Sequence, residues 1–137
     1  MGTFAVRRVH IPVSHDRTTD RRGERPVVLL VTGDPNLREV ATRVLEREHY
    51  DVVAVAHSGH ALLACLAGRR VDVLATELSM EDTSGPALAE RLRRHHPGLQ
   101  AVYFGQLGTR ECDNVLVRPF TRDDLLTRVV AASSVVA

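Results

Sequence analysis

Val-Val-Leu-Leu-Val-Thr-Gly-Asp-Pro-Asn-Leu-Arg, residues 27–38, is the stretch that decides the fold. Five consecutive apolar residues, Val27–Val31, suit a strand buried on both faces, since a strand with one wet face alternates apolar and polar positions. The run stops at Thr32-Gly33. Asp34 can cap a helix there, its carboxylate accepting from the free N–H groups of the first turn. Pro35 suits that first turn, where no N–H is needed. A doubly buried strand running straight into a helix is the repeating unit of a parallel sheet covered on both faces.

The same alternation continues downstream. Leu37, Val40, Ala41, Val44 and Leu45 recur at helical spacing and form one apolar stripe. Asp51–Val55 reads as a second strand. Ser58 can cap a helix carrying Ala61, Leu62, Cys65 and Leu66, which ends at Gly68. Val71–Thr76 is a third strand, Gly85–His95 a helix with Leu88 and Leu92 inward, and Gln100–Phe104 a fourth strand. Asn114–Val117 is a fifth and very short strand, and Thr121 caps a last helix bearing Leu125, Leu126, Val129 and Val130. With right-handed crossovers, this order predicts an α/β fold: a flavodoxin-like, doubly wound, parallel five-stranded sheet of order 2-1-3-4-5. Ligands on such sheets bind beyond the carboxyl ends of the strands, so Thr32, Glu77, Gly105 and Arg118 are the positions that matter.

Upstream of Pro26 the pattern is different. Residues 1–26 carry six Arg against three acidic residues and read as a basic, flexible N-terminal extension; residues 27–135 form the domain. Phe4, Val6, Val9, Ile11 and Val13 alternate weakly, which leaves a short strand or a partner-binding segment open beside a disordered tail. All 18 basic residues are Arg and net charge is only +1, which argues against a strongly electrostatic partner; nucleic acid is not expected. Cys65 and Cys112 fit no metal spacing and read as free thiols of a reducing cytoplasm. No apolar run approaches 18 residues, so no membrane span is expected; the N-terminus has no long apolar core and no small-residue cleavage site, so no signal peptide is expected either. His57 and His60 are spaced for a metal but lack a third ligand, and a turn-and-cap role explains them better.

Three segments carry a resemblance to the receiver domain of two-component response regulators: 27–38, Val-Asp-Val-Leu-Ala-Thr-Glu-Leu-Ser-Met at 71–80 with Gly85, and Leu-Val-Arg-Pro-Phe at 116–120. The likeness covers nearly all of 27–133. It implies that two acidic residues end the first strand and hold Mg²⁺, yet Thr32 and Gly33 stand there, and Asp34 falls one position later as a cap. It implies an Asp phosphate acceptor where Glu77 stands. The extra methylene moves that carboxylate by about 1.5 Å, enough to spoil in-line attack. Glu77 then either mimics a phosphorylated state or forms an ion pair with Arg118. The resemblance further implies a switch hydroxyl where Gly105 has none, and a Lys where Arg118 stands before Pro119, a candidate cis proline. Arg keeps the charge without the compact ammonium geometry.

A second departure is a deletion. Gly105 to Arg118 spans thirteen positions, too few for a full fourth helix between the last two strands, so that helix is expected to be shortened or missing. Val102, Phe104, Leu107 and Leu116 are then either partly exposed as a docking surface or covered by the loop and Leu107. The expected protein is a pseudo-receiver: cytoplasmic, non-enzymatic, without a cofactor and with weak or absent Mg²⁺ binding. It acts by phosphorylation-independent contact with a protein, a histidine kinase or an output protein in trans. Alternatives are residual phosphotransfer at Glu77 and a small-ligand-binding flavodoxin-like domain. With no output domain after residue 137, the chain is expected to act in trans or to be part of a longer protein.

Overall fold

The computed structural model describes residues 25–68, 70–110, 112 and 114–136. All but the last two residues of the expected N-terminal extension lie outside this range. Among these residues five strands and four helices follow one another, alternating except where β5 directly succeeds β4: β1 (Val27–Val31), α1 (Pro35–Arg47), β2 (Asp51–Val55), α2 (Ser58–Leu66), β3 (Val73–Glu77), α3 (Gly85–Arg93), β4 (Gln100–Gly105), β5 (Val115–Val117) and α4 (Arg122–Val136). The strands are parallel in the order β2-β1-β3-β4-β5.

The apolar run of β1 is explained by the two cores it feeds. Successive side chains of a strand point to opposite faces. Val28 and Leu30 pack with Val52, Val73, Ala75, Val102, Phe104 and Leu116 beneath α1 and α4, which contribute Ala41, Leu45, Leu125 and Val129. Leu29 and Val31 pack with Val53, Leu74, Tyr103 and Val115 beneath α2 and α3, which contribute Ala61, Cys65, Leu88 and Leu92.

Local chemistry sets the helix ends. Asp34 caps α1, and Ser84 caps α3 by accepting from the Ala87 N–H at 3.2 Å. At α4 the capping is reciprocal: Thr121 Oγ1 accepts from the Asp124 N–H at 3.1 Å, and Asp124 Oδ2 accepts from the Thr121 N–H at 3.0 Å. Gly68 closes α2 with a φ of +83°, which only glycine adopts freely. Ser58 is not a cap as expected. His57 holds that place without a side-chain bond, while Ser58 is buried and donates to Asp82 Oδ2 at 2.7 Å. Val40, Leu66 and Val130 also differ from expectation, facing solvent at the margins of their helical stripes.

The connection from β4 to β5 contains no helix among its described residues; α4, the fourth helix in the chain, follows β5. Val102, Phe104 and Leu116 are nevertheless buried, because α4 lies over them and Phe120 stacks on Phe104 with ring centroids 5.6 Å apart. Leu107 does not fold back: it is 80% exposed.

Candidate functional site

The carboxyl ends of β1, β3, β4 and β5 converge on one edge of the sheet, and each delivers one of the positions singled out in the sequence. Thr32 follows β1 and is buried. Its N–H donates to the Val55 carbonyl at 3.1 Å, which fixes the residue against β2. Its hydroxyl donates to Glu77 Oε2 at 2.5 Å and accepts the Asp34 N–H at 3.1 Å. Its carbonyl accepts from Arg38 Nη1 at 2.8 Å. Gly33 is exposed, and a Cβ built on it would meet nothing within 4 Å. Asp34 turns away from the edge, its Oδ1 accepting the N–H groups of Asn36 and Leu37 at 3.0 and 3.3 Å.

Glu77 ends β3 and Arg118 follows β5. Between them in the sheet lies β4, so the Arg118 side chain spans a full strand to reach its partner. It does so with both terminal nitrogens: Nη1 donates to Oε1 at 3.0 Å and Nη2 to Oε2 at 2.8 Å. Such a fork-to-fork pair is stronger and more directional than a point contact. The Arg118 and Glu77 side chains are 24% and 13% exposed, so water screens the pair only in part. The main chain supports the approach, since the Arg118 N–H donates to the Gly105 carbonyl at 2.9 Å and the Arg118–Pro119 bond is cis.

The carboxylate thus has both oxygens occupied by donors, one of them twice. The sequence suggested the Glu77–Arg118 pair as one of two readings of Glu77. Thr32 as a third member was not anticipated, although a polar residue directly after an otherwise apolar central strand was the available signal. Gly85 completes the frame. A Cβ there would stand 2.5 Å from the Glu77 carbonyl oxygen and 2.7 Å from a Tyr103 ring carbon, so only glycine lets α3 start this close to β3. Behind it, the Ser58–Asp82 bond ties the β3–α3 loop to α2.

His57 and His60 lie at the start of α2 with ring centroids 5.5 Å apart. Among the described residues no three His, Cys, Asp or Glu side chains gather to hold a metal ion, and no helix is long and apolar enough to cross a membrane. Cys65 is buried and Cys112 exposed, both as free thiols.

The response regulator receiver domain family matches residues 28–130. A curated relative, the "Probable transcriptional regulatory protein TcrX" of Mycobacterium tuberculosis, is 25% identical over 118 residues, which are 80% of this chain and 50% of the relative. The chain therefore spans about half the length of that relative. Among solved structures, a response regulator receiver protein from Sinorhizobium medicae superposes with a TM-score of 0.73 at 21% identity, over 83% of this chain and 98% of the other. The signal receiver domain of a Luxo repressor protein from Vibrio parahaemolyticus gives 0.71 at 19% identity, over 82% and 93%. A response regulator from Thermotoga maritima gives 0.68 at 19% identity, over 81% and 99%. At these identities the structural likeness speaks for the fold alone.

Proposed function

This chain belongs to the response regulator receiver domain family, and we propose that it is an atypical member, a pseudo-receiver that signals by binding a protein partner without being phosphorylated. Receivers are signalling modules of two-component systems. They bind Mg²⁺ at a phosphorylation site and interact with histidine kinases and output domains. The site carried by this chain departs from that chemistry at each residue.

Mg²⁺ asks for hard oxygen ligands in near-octahedral geometry. The residues on this edge do not fit it. Thr32 and Gly33 bring no carboxylate, and the Asp34 carboxylate is engaged in capping α1. Glu77 already holds a cation in Arg118. Phosphoryl transfer relies on positioned charge around the acceptor, and an acceptor oxygen must be free to attack. Both Glu77 oxygens instead accept hydrogen bonds from within the chain, and this closed carboxylate is the observation that carries the reading.

A domain whose site is closed by its own side chains has nothing for phosphate to switch. Its partner then selects or stabilises the conformation present. The partner proposed is a histidine kinase or an output protein supplied in trans, in the cytoplasm, and the domain is no enzyme. Residues 27–135 would act as this unit, with 1–26 as a basic extension. Titration of the ¹⁵N-labelled chain with Mg²⁺, then with beryllofluoride, tests the proposal by amide NMR. The expected result is no saturable shift at Thr32, Glu77, Gly105 or Arg118. Saturable shifts at those amides, with beryllofluoride raising the melting temperature as a native-state ligand must, would establish a working site instead.

A further inference from the structure

On this edge, the residue with no side chain is crowded from outside. A Cβ built on Gly105 would stand 3.0 Å from Thr109 Cγ2, 3.1 Å from its Cβ and 3.2 Å from its Oγ1. Gly33, on the same edge, has nothing within 4 Å. Gly105 is not among the residues with positive φ, so its backbone does not require glycine, but a side chain there would press on Thr109. The side chain of Thr109, four residues further on, fills that space.

The loop that delivers Thr109 is anchored on both sides. Gly108, at φ +98°, turns the chain so that the Thr109 N–H donates to the Gln106 carbonyl at 2.9 Å. Past the turn, Cys112 bridges Val115, and the Val115 N–H donates to the Cys112 carbonyl at 3.2 Å. From α4, Arg128 Nη1 donates to the carbonyls of Cys112 and Val115 at 2.8 and 3.0 Å. The carbonyl of Gly105 in turn accepts the N–H of Arg118. One residue therefore meets Thr109 through its empty side-chain position and Arg118 through its carbonyl.

We infer that the β4–β5 connection is a latch. Thr109 is its bolt and Gly105 its socket. Seating Thr109 fixes the end of β4 and, through the Gly105–Arg118 hydrogen bond, the position from which Arg118 reaches Glu77. The short loop thereby holds the end of β4 in place at this edge of the sheet. The latch does not depend on whether Glu77 can accept phosphate, because it rests on the packing around Gly105 and on the Gly105–Arg118 hydrogen bond.

A size-swap experiment on the full chain tests this. Gly105→Thr places a branched side chain in the socket and expels Thr109. Hydrogen exchange at the Val115 and Arg118 amides should quicken by about tenfold, as expected when a local cooperative unit loosens. The ¹³C resonance of the Glu77 carboxyl should shift as Arg118 loses its seat. Thr109→Gly alone empties the socket and should quicken the same amides by a few fold. The double variant, Gly105→Thr with Thr109→Gly, should bring exchange and the Glu77 resonance back toward wild type, because the new side chain fills the vacated space. If Gly105→Thr does not fold, Gly105→Ala provides the same test at smaller amplitude, since its Cβ asks Thr109 to yield by only a few tenths of an ångström. Unchanged exchange in the Gly105 variants, or a double variant that merely multiplies the two single effects, overturns the latch.

Discussion

Arg118→Met removes both guanidinium hydrogen bonds to Glu77 in one step. The carboxylate, in a side chain only 13% exposed, is left with the Thr32 hydroxyl and must draw in water. Breaking a fully buried pair from one side costs about 3–5 kcal/mol, whereas an exposed pair is worth less than about 1 kcal/mol. This pair lies between those limits and nearer the buried one, so about 2 kcal/mol is expected for Arg118→Met. Glu77→Met should cost less, about 1 kcal/mol, because the long Arg118 stem lets its charge swing toward water. Removing both charges together is nearly neutral in buried pairs, so the double variant should lie within about 1 kcal/mol of wild type. The resulting coupling energy is about 3 kcal/mol, at the upper end of what contacting residues show. Urea unfolding followed by circular dichroism measures all four species, and an unchanged m value confirms that the denatured state is comparable. Arg118→Lys should recover only part of the loss, since an ammonium serves one oxygen at a time. A coupling energy below about 0.5 kcal/mol would show that Glu77 and Arg118 contribute independently and that Arg118 does not close the carboxylate.

Gly85→Ala forces a Cβ to within 2.5 Å of the Glu77 carbonyl oxygen, so overpacking should cost about 2–3 kcal/mol in the same denaturation assay. Asp34→Ala should cost about 1 kcal/mol of stability through the lost cap of α1 and leave the amide spectrum unchanged in its response to Mg²⁺; a metal-dependent difference between variant and wild type would assign Asp34 a ligand's role. Burial pushes both the Cys65 thiol and the Tyr103 phenol up from their ordinary values of 9.0 and 10.0. Each is protonated in the fold at a pH where the unfolded chain has lost the proton. The stability they lend is complete below pH 9.0 and drains away above it, first through Cys65 and then through Tyr103. Melting temperatures across this alkaline range should therefore fall, and Cys65→Ala should flatten the first part of the decline.

The sheet was readable because each strand is chemically simple. Val27–Val31 had to be buried on both faces, and its neighbours in the chain repeat the same strand-to-helix handover. Caps at Asp34 and Thr121 were legible for the same local reason, and the Arg118–Pro119 cis bond followed from the family resemblance. Misreadings arose where a residue answers to a distant partner. Ser58 has the composition of a cap, but Asp82 claims its hydroxyl from 24 positions away. Strand bounds drifted by one or two residues: β3 begins at Val73 rather than Val71, since Asp72 instead accepts the Val27 N–H at 2.8 Å. The deletion before β5 was evident from spacing. Its structural answer was not, because α4 and Phe120 cover Phe104 while Leu107, the apolar residue nearest the gap, stays outside. At the edge itself, the sequence named the residues and offered the Glu77–Arg118 pair. It did not show Thr32 donating to Glu77, which depends on the register that pairs Val31 with Thr76, or Thr109 seated beside Gly105, which depends on where a loop returns to a strand end.

Whether Glu77 can take a phosphoryl group decides whether this receiver is phosphorylation-independent. Intact-mass spectrometry of the chain after incubation with acetyl phosphate and Mg²⁺ measures this without any assumption about partners. The prediction is an unchanged mass for wild type and for Glu77→Gln alike. A gain of about 80 Da, one phosphoryl group, present in wild type and absent from Glu77→Gln, would contradict it.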